Sequence, residues 1–250
     1  MRPVVAVIGL GLVGGSLARA LTRAGYTVIG VDRPAVARRA RRIGAVARAA
    51  DAVERAASQA GVVVLAATPS ANLRLLRRVA RAMPDALVTD VGSVKGPIVR
   101  VAAALKLRRF IGGHPLAGSE GSGLAASDAR LFRGRPWVLT PVRASRRDLA
   151  LLRRLVRAVG ARPVTMTTEE HDRTVAFVSH VPQLVAWALR DAARRDRVAG
   201  RRLGIAGPGF RDMTRLARSP WRLWREILDQ NRPEVRHALG GLMRELRRRR

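Results

Sequence analysis

Cysteine is absent from this chain of 250 residues, which excludes disulfides, thiolate metal sites and a cysteine nucleophile. Lysine is almost absent as well, because Lys95 and Lys106 are the only two among 48 basic residues. Aromatic residues make up only 4% of the chain, so there are few rings on which nucleic-acid bases would stack. No pattern of metal ligands stands out, and we expect no metal site.

Acidic residues are scarce too: 18 Asp and Glu against 48 Lys and Arg give a formal net charge of +30. Such an excess commonly favours nucleic acid or an anionic membrane as the partner. The arginines lie throughout the chain, however, with one short run at residues 247–250. This distribution indicates a compositional bias, and nucleic-acid binding is not expected as the main function.

Long uninterrupted apolar runs are also missing. Glycines break the uncharged stretch 3–18, and Gln59, Pro69 and Asn72 break the stretch 56–73, whereas a bilayer span needs roughly 20 mainly apolar residues. Hydrophobic residues still form 48% of the chain, enough to bury a core. We therefore expect a soluble, cytoplasmic protein that does not bind a membrane.

Short β-branched runs alternate with helical patterns over the first two thirds of the chain. Strands are predicted at 4–8, 27–31, 62–65, 87–89, 110–111, 137–139 and 163–166, with the first helices at 13–24 and from about residue 35. Continuous apolar strands separated by helices are typical of a parallel sheet covered on both faces. The prediction is an α/β fold with a Rossmann-like, doubly wound, mainly parallel sheet.

The pattern becomes helical from Thr168 onwards. Apolar residues recur there at three and four positions, and further helices are expected around 190–204, 211–218, 221–229 and from 233 to the end. We expect a dinucleotide-binding domain at 1–167 and an all-helical domain at 168–250. Helices without a sheet of their own must be buried against the first domain or against a second copy.

The segment GLGLVG at residues 9–14 follows a predicted strand and opens a predicted helix. In a dinucleotide-binding turn these glycines allow a tight bend and close approach of the pyrophosphate. Asp32, after the second strand, suits the ribose hydroxyls of NAD, although neighbouring arginines leave NADP possible and Asp32 is alternatively a helix cap before Pro34. The expected cofactor contacts are Gly9, Gly11, Leu12, Val13, Gly14, Asp32, Arg33 and Thr68.

Three further segments indicate chemistry: DVGSVK at 90–95, GGHPLAGSE at 112–120 and GFRDMTR at 209–215. The first two follow strands, and ligands of open α/β sheets bind outside the carboxyl ends of strands. His114 is expected in a glycine- and proline-rich loop at that edge. Neutral imidazole is suited to accept a proton at physiological pH.

With these segments, the sequence resembles the prephenate/arogenate dehydrogenase family of tyrosine biosynthesis over nearly its whole length. SHVP at 179–182 and WREI at 224–227 add to the resemblance. The family joins an NAD(P)-binding α/β domain to a helical domain through which two subunits dimerise. The resemblance therefore implies a homodimer and oxidative decarboxylation of prephenate to 4-hydroxyphenylpyruvate, or of arogenate to tyrosine.

The resemblance also implies roles for individual residues. His114 accepts the proton of the substrate ring hydroxyl, Ser93 orients that hydroxyl, and Arg215 grips a substrate carboxylate. Glu120 lies near the mouth of the site or is a surface charge, while Asp212 orients Arg215 or caps its helix. Ser93 has a second interpretation as a helix N-cap before residues 95–97.

His180 and Gln183 are two further positions of the substrate site that the resemblance implies, and neither indicates which substrate is used. His180 is expected to support the helix that carries the substrate pocket. Gln183 stands where many prephenate-using members have a second histidine, and an amide both donates and accepts, so it does not decide between prephenate and arogenate.

Two other functions compete with this interpretation. Dehydrogenases of the β-hydroxyacid or imine-reductase kind share the two-domain plan, but they use a lysine in the helical domain, and both lysines here precede residue 110. A basic polyanion-binding protein on a Rossmann scaffold is the non-enzymatic alternative. It predicts binding that does not depend on the glycine segment.

Overall fold

A computed structural model describes residues 2–83, 85–119 and 121–249 of the chain. The chain divides into two compact units, Met1–His171 and Asp172–Arg250. Among the described residues, none of the helices is both long enough and apolar enough to cross a bilayer.

The first unit is built on one eight-stranded sheet with the order β3-β2-β1-β4-β5-β6-β7-β8. All neighbouring strands pair in parallel except β6 and β7, which are antiparallel. The strands are β1 Val5–Ile8, β2 Val28–Val31, β3 Arg48–Ala50, β4 Val62–Leu65, β5 Leu87–Asp90, β6 Phe110–Pro115, β7 Pro136–Arg143 and β8 Arg162–Thr165.

Helices cover both faces of this sheet. Successive residues of β1 alternate between two cores: Val5 and Val7 belong to one apolar cluster, and Ala6 and Ile8 to the other. This two-sided burial confirms the predicted doubly wound, mainly parallel sheet. The helices are α1 Leu12–Arg23, α2 Pro34–Arg42, α3 Val53–Ser58, α4 Pro69–Ala82, α5 Gly96–Ala104 and α6 Arg146–Ala158.

Strand β3 and helix α3 are not predicted by the sequence pattern. The strand Arg48–Ala50 lies at the sheet edge and pairs only with β2, and its Arg-Ala-Ala sequence has neither β-branched residues nor alternation. Helix α3 is six residues long, too short to establish a helical period.

A second correction concerns His114. The expected loop is wrong, because β6 continues through the glycines and includes His114 and Pro115. Glycine is required here by packing: a Cβ on Gly113 would lie 2.9 Å from Thr89 Oγ1 and 3.1 Å from Trp137 Nε1. The histidine therefore stands on a strand of the sheet, which positions its ring more rigidly than a loop does.

Helices form the described part of the second unit. They are α7 Thr168–Val175, which begins before the boundary in sequence, α8 Val181–Arg195, α9 Pro208–Thr214, α10 Trp221–Gln230 and α11 Arg232–Arg248. A π-helical turn, Ala176–His180, joins α7 to α8, and 3₁₀ turns occupy Ala199–Ile205 and Arg215–Arg218. Two small apolar clusters, centred on Ala238 and on Trp187, hold these helices together.

The helix expected at 190–204 is wrong. Helix α8 ends at Arg195, and the Asp196 side chain then accepts hydrogen bonds from the backbone N–H groups of Val198 and Ala199. These bonds lower the pKa of Asp196 and turn the chain into the following 3₁₀ segment. The segment expected at 211–218 is likewise two pieces, the end of α9 and a 3₁₀ turn.

Candidate active site

The glycine segment forms the tight turn between β1 and α1. Gly9 has a φ of +99°, in the left-handed region that favours glycine, and a Cβ there would lie 2.6 Å from the Ala66 carbonyl oxygen. A Cβ on Gly14 would overlap the Gly9 carbonyl oxygen and lie 2.8 Å from the Ala66 Cβ. A Cβ on Gly11 meets no atom within 4 Å. Two of the glycines therefore serve protein packing, and Gly11 leaves space above the loop.

The N-terminus of α1 is suited to bind an anion. Gly11 is its N-cap, no side chain caps the helix, and no acidic residue lies in the first turn. The first amides of a helix lack intrahelical partners and carry the positive end of its dipole. Together with the space at Gly11, this geometry fits the pyrophosphate of a dinucleotide.

Asp32 lies at the end of β2 and contacts the glycine turn directly. Its Oδ2 accepts from the Leu10 N–H at 2.6 Å, and its Oδ1 accepts from the Arg33 N–H at 2.7 Å. Helix α2 has Arg33 as its N-cap and no side-chain cap bond, so the interpretation of Asp32 as a helix cap is wrong. The Arg33 side chain is exposed, as is Thr68, the N-cap of α4 after β4.

Alanine at Gly11 and at Gly14 should have opposite consequences. Gly11→Ala should leave thermal stability unchanged but weaken NAD binding about 10–100-fold, the equivalent of one charge-assisted hydrogen bond. Gly14→Ala should instead destabilise the fold by about 1–3 kcal/mol, because its Cβ has no room. Calorimetric titration with NAD and thermal unfolding check both. Unchanged NAD affinity in Gly11→Ala would contradict the assigned pyrophosphate position.

A buried ion pair follows β5. Lys95 is fully buried, and its Nζ donates to Asp90 Oδ2 and, at 2.6 Å, to the Gly113 carbonyl oxygen in β6. The Asp90 carboxylate also accepts from the Gly92 N–H at 2.8 Å and the Gly113 N–H at 3.0 Å. Both charges are thus paired and hydrogen-bonded, as burial requires. The DVGSVK segment thereby fixes the backbone of β6 one residue before His114.

His114 itself is 8% exposed and contacts a second histidine. Its Nδ1 lies 2.8 Å from Nε2 of His171, a fully buried residue in α7, and the two rings meet edge to face. His171 stands in none of the segments that indicate chemistry in the sequence. Its one signal was spacing: Val175, four residues later and also buried, places His171 on the apolar face of α7.

The start of β6 is anchored to α6. Arg109 donates to Asp148 Oδ1 from both Nε and Nη2, at 3.0 and 2.6 Å, and Ser145 donates to the other carboxylate oxygen. Burial raises the pKa of Asp148, but the hydrogen bonds from Arg109 and Ser145 outweigh it and hold the pKa below its ordinary value. Asp148 is therefore ionised at neutral pH, and the anchor persists there.

The second unit contains an apolar cavity of about 680 Å³ between its helices. Asp212 and Arg215 line it, together with Phe177, Val181 and Leu242. Both charged side chains are exposed, and no ion pair joins them among the residues that the structure describes. Gly207 is the N-cap of α9, so Asp212 does not cap that helix.

Two models of prephenate dehydrogenase domains match the chain: the nucleotide-binding domain at residues 17–165 and the dimerization domain at 167–250. Between them they cover the chain from Leu17, within α1, through all the helices of the second unit, so β1 and the glycine segment lie outside the match. The chain belongs to the prephenate dehydrogenase family.

Individual members of the family are similar along nearly the whole chain. Prephenate dehydrogenase of Bacillus subtilis is 33% identical over 98% of this chain and 69% of its own length. Prephenate dehydrogenase of A. aeolicus, solved with hydroxyphenyl propionate and NAD+, is 31% identical with a TM-score of 0.91, covering 99% of this chain and 89% of its own. Arogenate dehydrogenase of Synechocystis is 31% identical with a TM-score of 0.87, covering 98% and 90%.

The structure distributes the family's expected site residues over both units. His114 lies in β6, and Ser93 follows the neighbouring strand β5. Ser93 is half-buried, and the N-cap of α5 is Lys95, so its alternative role as a helix cap is wrong. Glu120 lies outside the described residues.

In the second unit, Gln183 and His180, which have expected roles at the substrate site, form hydrogen bonds with other residues of the chain. Gln183 is buried, and its Nε2 donates at 2.6 Å to the carbonyl of Leu216, the residue after Arg215. His180 is buried, with its Nδ1 3.1 Å from Asn231 Nδ2. Gln183 thus helps to position the turn that presents Arg215, and His180 supports the helix junction before α8.

Proposed function

We propose that this chain is an NAD-dependent dehydrogenase that oxidatively decarboxylates prephenate, or its amino analogue arogenate, in tyrosine biosynthesis. The observation that carries the proposal is His114: a nearly buried imidazole held on strand β6 of the nucleotide-binding sheet, in a chain of the prephenate dehydrogenase family. We also propose the cytoplasm as its location, as expected from the sequence.

The reaction requires a proton acceptor at the ring hydroxyl of the substrate. Bound NAD supplies the acceptor for the hydride that leaves the hydroxyl-bearing carbon. His114 takes the hydroxyl proton at Nε2, while Ser93 hydrogen-bonds the same oxygen and orients it. The ring carboxylate then leaves as carbon dioxide, and the electron pair of the broken bond enters the ring and makes it aromatic. The ring oxygen, left as a phenolate, regains its proton from the His114 imidazolium, which restores neutral His114.

Arg215 holds a substrate carboxylate in this proposal. Its exposed guanidinium offers a planar fork suited to bidentate binding of a carboxylate. Gln183 donates to the backbone beside it, so we assign it a positioning role and not the choice between the keto acid and the amino acid. Asp32, beside the ribose position, favours NAD over NADP by repelling a 2′-phosphate.

The test is an assay of purified protein with prephenate and with arogenate, each offered with NAD and with NADP. We expect NADH to form with at least one of the two substrates and NAD to be preferred. Absence of turnover with both substrates would overturn the proposed reaction, and a preference for NADP would overturn the role of Asp32.

We further propose that the second unit forms a homodimer. The family's dimerization domain matches residues 167–250, and large apolar side chains are exposed there, with Val178 at 64% and Met213 at 56%. Because a charge of +30 opposes self-association, apolar burial must dominate. Sedimentation should give about twice the 27.1 kDa of the chain.

A matched pair of variants locates the interface. Val178→Asp should produce a monomer with unchanged circular dichroism, because it would bury a carboxylate in the interface. Ile43→Asp makes the same kind of change at an exposed residue of the first unit and should remain dimeric. A native protein that stays monomeric across micromolar concentrations would contradict the dimer.

A further inference from the structure

The histidine pair in the first unit places a donor–acceptor constraint on its two rings. At 2.8 Å, His114 Nδ1 and His171 Nε2 are within hydrogen-bonding distance, and one nitrogen must donate while the other accepts. Two imidazolium rings in this geometry would present two donors to each other. The contact therefore requires that at least one ring is neutral.

The two possible directions of this bond have different chemical consequences. If His114 donates from Nδ1, its neutral ring carries its lone pair on Nε2, where it can accept a proton. If His171 donates instead, the proton of neutral His114 lies on Nε2, and that nitrogen cannot act as a base. Which tautomer forms is decided by the hydrogen bond that the other ring nitrogen makes.

We propose that His171 is a positioning residue that accepts the Nδ1–H of His114 and so holds Nε2 of His114 ready to accept the substrate proton. This inference rests on the proposed function, in which His114 is the base. When His114 becomes imidazolium it keeps its Nδ1–H, and the lone pair of His171 continues to accept it. The interaction is thus made in both protonation states and requires no reorganisation during the reaction.

The start of α7 makes His171 a rigid acceptor. Thr167 and Glu170 form a reciprocal cap: the Thr167 N–H donates to Glu170 Oε2 at 2.8 Å, and the Glu170 N–H donates to Thr167 Oγ1 at 3.1 Å. The backbone N–H of His171 donates to the Thr167 carbonyl. Full burial removes the remaining freedom of the ring.

Two replacements of His171 separate the hydrogen bond from packing. His171→Gln can present an amide oxygen near the position of Nε2 and should retain most of the native kcat. His171→Leu fills a similar volume without an acceptor and should lose about 10²-fold in kcat, as expected for a misoriented catalytic group. In both variants KM and the Kd for NAD should stay within about twofold. Equal activity of the two variants would overturn the proposal.

The tautomer of His114 can be measured directly by NMR, independently of activity. The chain has four histidines, so nitrogen-15 NMR of histidine-labelled protein gives a simple spectrum, and His114→Asn assigns the signals of His114. At about pH 8, where ordinary imidazoles are neutral, we expect the proton of native His114 on Nδ1. A proton on Nε2 would overturn the inference even if the enzyme turns over as proposed. If His171→Leu does not fold, the native spectrum and His171→Gln still decide. A native His114 protonated on Nε2 contradicts the proposal, and so does loss of kcat in His171→Gln while its His114 stays protonated on Nδ1.

Discussion

Replacing His114 with asparagine should lower kcat by roughly 10²–10⁴-fold, the usual contribution of general acid–base catalysis. Asparagine is the informative choice, because its amide lies near the position of the imidazole Nδ1 and can still donate to His171. It offers nothing at the position of Nε2. The variant therefore removes the proton acceptor while keeping the buried hydrogen bond, and its Kd for NAD should stay close to the native value.

The control for this variant is His237→Asn. His237 is exposed on α11, where its Nε2 contacts Arg173, and its replacement should change kcat by less than about twofold. The native enzyme should also lose activity on the acid side as His114 becomes protonated, and this limb should be absent from His114→Asn. Near-native kcat in His114→Asn would show that another group takes the proton.

The sequence predicts the fold best where strands are buried on both faces. The run Val62-Val63-Val64-Leu65 was predicted as a strand and forms β4, and the first and second strands match β1 and β2 to within one residue. The edge strand β3 was missed because its pairing depends on backbone hydrogen bonds to β2 and not on apolar side chains. Local pattern carries little signal for such a strand.

The glycines before His114 show that a pair of glycines can lie in a strand as well as in a loop. Gly112 and Gly113 suggested a loop, since glycine most often marks turns. In the structure they lie in β6, where Thr140, Lys95, Thr89 and Trp137 leave no space for a Cβ. Glycine in a strand also marks close approach of its neighbours, and only the packing distinguishes the two cases.

Some residues of the candidate site belong to recognisable sequence segments, whereas others are found only through their contacts in the structure. His114 stands in a recognisable segment and Asp32 follows a predicted strand at the expected distance from the glycine segment, so the sequence alone proposes both as site residues. His171 lies 57 residues from His114, and no motif connects them. The DVGSVK segment was recognised, but the burial of its lysine and the bond to Gly113 depend on how β5 and β6 pair.

The second large effect is expected when Lys95 is replaced. Lys95→Met removes the positive charge but fills a similar volume, and it leaves the Asp90 carboxylate buried without its cation. Removing one partner of a buried pair costs about 3–5 kcal/mol, because the remaining charge is uncompensated. Urea denaturation followed by circular dichroism should show this loss in the free energy of unfolding. Activity should fall as well, since the Gly113 carbonyl beside His114 loses its donor.

The chain supplies its own control, because Lys106 is its other lysine and is exposed at the end of α5. Lys106→Met makes the same chemical change with the same charge loss and should alter the free energy of unfolding by less than about 0.5 kcal/mol. Combining Lys95→Met with Asp90→Asn should cost less than the sum of the single changes, since the double variant no longer buries an unpaired charge. Additive costs, or equal effects of the two lysine variants, would mean that the buried pair does not stabilise the fold around β6.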